Sequence, residues 1–229
     1  MSIGIEHIEY FLPEKVITSQ ELGEQFGFPL DFMEGKMGIR RIHMAAEEEQ
    51  TSDLAAEAVK RIFEKRPEIR DRVGALVVCT QTPDYQLPHT GALVQKKLGL
   101  KNDVASFDIG LGCSGFVYGL SVLTAFMEEN QMDYGILVTA ETYSKIINEE
   151  DRNTKPLFSD AATATLLGRA PDLVPGRFTF GTDGTSYDSL ILRPSDVRKG
   201  GQREYLYMNG RKIFELAASQ VPDDIHRCP

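Results

Sequence analysis

The chain has 229 residues, 41% hydrophobic and 26% charged, enough for one large globular domain or two small ones with a real core. Its 34 acidic against 25 basic residues give a formal charge of -9, which repels phosphates and argues against nucleic-acid binding by the chain as a whole. No apolar run approaches the roughly 20 residues of a membrane span, and the start MSIGIEHIEYFLPEK lacks the basic cap and apolar stretch of a signal peptide, so a cytoplasmic, membrane-free location is expected. Three cysteines, Cys79, Cys113 and Cys228, are too few for a disulfide framework, and none has metal-ligand spacing, so no metal is expected.

The opening segment alternates apolar and polar residues (Ile3, Ile5, Ile8, Tyr10) as far as Pro13 and predicts an edge or half-buried strand. Thr18 and Ser19 before ELGEQF mark a helix start. Residues 31–42, DFMEGKMGIRRI, show no clean period and predict short helix and turn on the surface. From Thr51, a capping residue followed by the spacing of Leu54, Ala55, Ala58, Val59 and Ile62 predicts an amphipathic helix. ALVVC at 75–79 is apolar on both faces, as in the middle of a covered sheet. A two-proline loop, TPDYQLPH, leads to a helix stopped by Gly99 and then to the strand VASFDI at 104–109. After the turn GLGCSG come an apolar helix, FVYGLSVLTAFMEE, and a buried strand, YGILVTAE, at 134–141. This alternation predicts a layered α/β fold. Beyond it, ETYSKIINEEDRNTK is polar and aperiodic, while ATATLLG and RFTFGTDG have strand composition. RPSDVRKGGQRE is expected to be mobile, and MNGRKIFELAASQVPDDIHR to be a helix interrupted by Pro222.

Cys113 lies in Asp108-Ile109-Gly110-Leu111-Gly112-Cys113-Ser114-Gly115-Phe116, between a strand ending near Ile109 and a helix predicted to start near Cys113. Unpaired amides at such a helix end favour a thiolate and are one way to lower a cysteine pKa below its free value of about 8.5. The flanking glycines let the chain turn sharply and leave room for a carbonyl, whose oxyanion the Cys113 amide could hold. Spacing alone does not separate this reading from a small cysteine that merely packs. Ser114 competes as nucleophile, but GCSGF does not complete the G-x-S-x-G pattern of a hydrolase elbow. Cys79, in an apolar strand, and Cys228, beside the terminus, are assigned to packing or surface.

The run KMGIRR at 36–41, the DIGLGCSGF turn, YGILVTAE, DRNTKPLFSDAATATLLG and MNGRKIFELA follow one another in the order and setting of beta-ketoacyl-ACP synthase III sequences of the thiolase superfamily. The chain resembles the N-terminal, catalytic-cysteine half of that family with the start of the second half. The resemblance implies an α/β, thiolase-like αβαβα architecture of which mainly the first half is present. Residues 1–194 would form that half with the nucleophile turn, and 195–229 a mobile connection and the first helix of a further half.

It also implies an acyltransferase. In the family a cysteine thiolate takes an acyl group from acyl-CoA, and malonyl-ACP then decarboxylates and attacks the thioester, in fatty acid or polyketide-like biosynthesis. Cys113 matches the nucleophile. Lys36 matches the basic residue that meets coenzyme A phosphate, and Phe32 and Arg152 match the aromatic and the arginine that hold adenine. Here a lysine stands for the usual arginine, without its fork geometry, and a phenylalanine for the usual tryptophan. Leu87, in a loop that crosses the family's dimer interface, matches the side chain closing the partner's acyl pocket, so a homodimer or association with another synthase chain is expected, with acyl carrier protein as the other partner. His89 in that loop reads as an interface or surface residue. Arg211 and Lys212 could meet the acidic carrier or form a solvated face. SDAATA at 159–164 replaces a glycine-rich GDGAGA but keeps Asp160. The family's catalytic histidine and asparagine belong to positions after 229, and His226 does not match that histidine motif. The chain alone is therefore expected to load an acyl group without condensing it, the alternative being a non-catalytic subunit that pairs with a complete synthase.

Overall fold

The computed structural model describes residues 2–193 and 204–227, and most of the stretch read as mobile, together with Cys228, lies outside the described residues. The chain forms two compact units, one of Met1–Ser144 with Phe158–Pro175 and one of Lys145–Leu157 with Gly176–Pro229.

The first unit opens with β1 (Gly4–Phe11), then β2 (Lys15–Thr18) and α1 (Ser19–Phe26). Thr18 caps α1 as its sequence predicts, its hydroxyl accepting from Glu21 N at 3.2 Å while Glu21 accepts from Thr18 N at 2.7 Å. Residues 31–42 are less superficial than expected. A π-helical turn (Phe32–Lys36) leads into a short strand, β3 (Arg41–Met44), paired antiparallel with β2, and Met33 and Ile42 join Leu22 in a small second core. Four residues, RIHM, carry too little period to announce a strand.

A five-stranded sheet follows from α2 (Thr51–Lys65), β4 (Val73–Cys79), α3 (Thr90–Leu98), β5 (Ala105–Ile109), α4 (Gly115–Glu129), β6 (Tyr134–Glu141) and β7 (Ala161–Gly168). Its order is β1-β7-β6-β4-β5, with β4, β5 and β6 parallel and β7 antiparallel to both β6 and β1. β1 is thus the edge its half-polar alternation predicts, and β4 and β6 are the covered centre that their apolar runs predict. α2 packs on β1, β7 and β6 and α3 on β4 and β5, whereas α4 packs on β4 and β6. The cap of α2 is Gln50 rather than Thr51, whose buried hydroxyl instead donates to Thr82 O at 2.5 Å. α4 buries Gly119, Leu120, Leu123 and Met127 against the sheet but leaves Val117 and Val122 more than two-fifths exposed, so its apolar circumference is covered on one side only.

In the second unit β8 (Leu190–Ile191) pairs with β9 (Tyr207–Met208), and α5 (Gly210–Arg227) follows. Two sequence expectations fail here. RFTFGTDG forms no strand; Phe178 and Phe180 stack on each other at 6.0 Å, and Asp183 accepts from Thr185 N at 2.8 Å in a tight turn. Pro222 does not interrupt α5, which runs through it.

Close approach of α4 to the sheet depends on Gly115 and Gly119, where a Cβ would overlap Cys79 Sγ and come within 2.7 Å of Leu137 Cδ1, respectively. Gly115→Ala should cost about 1–3 kcal/mol of stability in urea unfolding, whereas Gly35→Ala, with nothing near its Cβ position, should stay within about 0.5 kcal/mol; equal midpoints for the two variants would refute the packing account.

Candidate active site

The C-terminal ends of β4, β5 and β6 and the start of β7 meet at one end of the sheet, the place where open α/β sheets bind ligands. There the chain leaves β5 at Ile109, makes the turn Gly110–Ser114 and enters α4 at Gly115, two residues later than the sequence suggests. Cys113 is therefore in the turn and exposed, not in the first helical turn. Gly115 N donates to Gly112 O at 2.7 Å, closing the turn. Asp108 anchors the strand before it by accepting from Thr90 N at 2.6 Å and Gly91 N at 2.8 Å at the start of α3. Cys79, at the end of β4, donates to Leu111 O at 3.1 Å, and burial pushes its thiol up.

Cys113 borders a cavity of about 330 Å³ lined by Leu111, Ala140, Glu141, Tyr143, Phe158 and Ala162 among others. Glu141, the last residue of β6, turns its carboxylate inward. It accepts from Gln81 N at 2.9 Å, Thr82 Oγ1 at 2.6 Å and Thr80 Oγ1 at 3.4 Å. Burial raises its pKa against the opposing pull of these donors. Tyr143 stacks on Phe158 with centroids 4.8 Å apart and donates to Gln81 Oε1 at 2.6 Å. Burial, followed by the proximity of Glu141 and Cys113, pushes its phenol up to about 12. Asp160, fully buried, accepts from Ala45 N at 2.8 Å and Ser144 N at 2.9 Å and so ties the start of β7 to the cavity's rim. The result is an exposed thiol at the mouth of a largely apolar pocket.

Residues 107–184 match the family model for 3-oxoacyl-[acyl-carrier-protein] synthase III. A beta-ketoacyl-ACP synthase III of Caldanaerobacter subterraneus subsp. tengcongensis is 34% identical over 241 residues, with 100% of this chain covering 72% of that protein. The chain belongs to the beta-ketoacyl-ACP synthase III family. The corresponding synthase of Deinococcus deserti is 33% identical over 227 residues, which span 97% of this chain and 65% of that relative's length. A crystal structure of a 3-oxoacyl-ACP synthase III superposes with a TM-score of 0.91 at 34% identity, covering 99% of this chain and 73% of that one.

Of the positions expected from the synthase III resemblance, Phe32 and Lys36 come together on the π-helical turn. Lys36 Nζ stands 5.9 Å from the centroid of the Phe32 ring, which stacks on Phe28 at 5.3 Å. Arg152 is exposed in a turn of the second unit, where Asp151 accepts from Asn153 N at 2.9 Å. Leu87 is 86% exposed and does not line the cavity of its own chain. His226 Nδ1 lies 2.6 Å from Pro222 O and His43 Nδ1 2.7 Å from Pro13 O. Arg211 pairs with Glu215 at 2.9 Å and Lys212 with Asp188 at 3.5 Å, so both cations meet acids within their own unit. Among the described residues no His, Cys, Asp and Glu cluster could hold a metal, and no helix is long and apolar enough to cross a membrane.

Gln81, Glu141, Tyr143 and Phe158 are the site residues that sequence reading passes over. A carboxylate ending a parallel strand was the available signal for Glu141. Its raised folded pKa means that it contributes stability at pH below the ordinary carboxylate range and loses it as pH rises through the raised value. The stability of wild type relative to Glu141→Gln, from urea unfolding in a pH series, should therefore decline from acid toward neutral pH; a flat difference would remove the burial argument.

Proposed function

We propose that the chain accepts an acyl group from an acyl-CoA on Cys113, the first step of a ketoacyl-ACP synthase reaction. The observation that carries this is the exposed Cys113 on a glycine-bounded turn at the mouth of an apolar cavity, in a chain of a family named for acyl-carrier-protein synthases. The cysteine thiolate attacks the thioester carbonyl, a C–S bond to Cys113 forms, and the bond to coenzyme A breaks, the departing thiolate taking up a proton. The Cys113 amide, on the same turn, is assigned as one donor for the oxyanion.

Phe32 and Lys36 suit the donor's adenine and phosphate by stacking and charge, and Arg152 is assigned to the same nucleotide on the family resemblance alone. The lysine offers a point charge rather than a fork. We assign the acyl group so held to condensation with malonyl-ACP, with acyl carrier protein as the second partner. Tyr85 and Leu87, 60% and 86% exposed in the loop after β4, favour contact with a second synthase chain.

Incubation with a panel of acyl-CoAs followed by intact and peptide mass spectrometry should find one acyl group on Cys113 and none on the Cys113→Ala variant. No adduct with any donor would defeat the proposal. Accessibility gives a companion expectation: iodoacetamide near neutral pH should modify Cys113 about 100-fold faster than buried Cys79, and comparable rates would count against Cys113 as the open nucleophile.

A further inference from the structure

Much of the cavity wall beside Cys113 is built from small side chains, Thr139, Ala140, Ala161, Ala162 and Thr163. Against them stand two large rings, Tyr143 and Phe158, stacked with an interplanar angle of 17°. A wall of this kind derives its size limit from its largest members, provided that they cannot swing aside.

Tyr143 is held in three ways. Its backbone directly follows the Glu141–Thr142 corner, where Thr142 N donates to Thr82 Oγ1 at 2.9 Å. Its face is covered by Phe158. Its hydroxyl donates to Gln81 Oε1 at 2.6 Å, and Gln81 is itself fixed, its N–H on Glu141 and its carboxamide lying where a Cβ on Gly112 would come within 2.5 Å. Swinging the ring aside would give up that hydrogen bond and the Phe158 stack together. Because burial pushes the phenol up to about 12, the proton stays on its oxygen throughout the neutral range and the contact persists.

We propose that Tyr143, latched by Gln81, is the residue of this chain's own cavity wall that limits the size of the acyl group admitted beside Cys113. For its substrate class, an aliphatic acyl thioester, this rests on the reading given above. The latch couples the limit to the nucleophile, because the side chain that holds Tyr143 also lies against Gly112, the residue before Cys113.

Two series of reagents test this on the full chain: straight-chain acyl-CoAs of increasing length, and alkyl methanethiosulfonates, which transfer an S-alkyl group to a thiol and release sulfinate without acyl transfer. Rates of Cys113 modification are read by mass spectrometry. In wild type, rates should fall about tenfold for each carbon beyond a limiting length. Tyr143→Ala should move that limit outward by about three carbons, the space vacated by the ring. Gln81→Ala, at an exposed side chain that leaves the ring and its stack in place, should raise the rate of the first excluded length about tenfold. An unchanged thiosulfonate length profile in Gln81→Ala overturns the latch, and one in Tyr143→Ala overturns the proposal outright. A shifted thiosulfonate profile in both variants, with no acylation of wild type by any acyl-CoA, would support the size limit while refuting the proposed function.

Discussion

The start of α4 lies so near the end of β4 that nothing larger than a hydrogen fits at residue 115, where a Cβ would overlap Cys79 Sγ. That contact fixes where the helix begins and therefore where the preceding turn must run. Gly119 repeats the condition one turn later against Leu137 of β6. With α4 pressed on two parallel strands, the five residues from Gly110 to Ser114 bridge the end of β5 and the helix, and Cys113 is exposed on that turn. Close packing of this kind transmits displacement rather than absorbing it, so the position of Cys113 is a property of the sheet and α4 together.

Around the turn, buried carboxylates pair with backbone amides and hydroxyls beside the apolar cavity. Glu141 is the costly member, a carboxylate at the buried end of a strand. Three donors from residues 80–82 offset that cost, and in doing so they fix the backbone from which the Gln81 side chain reaches Tyr143. The acid thus shapes the pocket indirectly, through the loop it pins. Asp108 and Asp160 act in the same manner at the neighbouring strand ends, each accepting two backbone amides. Three carboxylates at one end of the sheet serve as anchors for loops that carry no regular backbone pairing of their own.

Much of this arrangement was legible in the sequence, and what was not has physical reasons. β4 and β6 declared themselves by unbroken apolar runs, α2 by its stripe, α3 by the Gly99 stop, and the turn around Cys113 by its glycines. Each of these is a local signal, decided within a few residues. The β2–β3 pair, the buried Met33 and the unpaired RFTFGTDG were misread because their states depend on what lies opposite rather than on their own period. The same holds for the site. Glu141, Gln81 and Tyr143 meet only after β4 and β6 pair in register, with Cys79 beside Thr139, and no spacing in the chain announces that Gln81 will stand between Tyr143 and Gly112. The displacement of Cys113 from the helix is of the same origin: the helix begins where the sheet lets it approach, at Gly115.

For the acyl-CoA loading proposed above, placement of the cysteine outside α4 suits the chemistry better than placement within it. An acyl-CoA has a highly charged, bulky nucleotide at one end and an apolar chain at the other, joined at the thioester. Burying the nucleotide would cost far more than any cavity of this size could return, while leaving the chain in water would forfeit about 0.8 kcal/mol per methylene. The reacting carbon must therefore sit at the boundary between the two environments, and so must the sulfur that attacks it. Cys113 occupies that boundary: it is exposed, yet it borders a cavity lined by Leu111, Ala140, Ala162 and Phe158. A cysteine in the first helical turn, packed where Gly115 is, would be pressed against Cys79 at the end of β4, and would lose access to the donor while gaining nothing from the pocket.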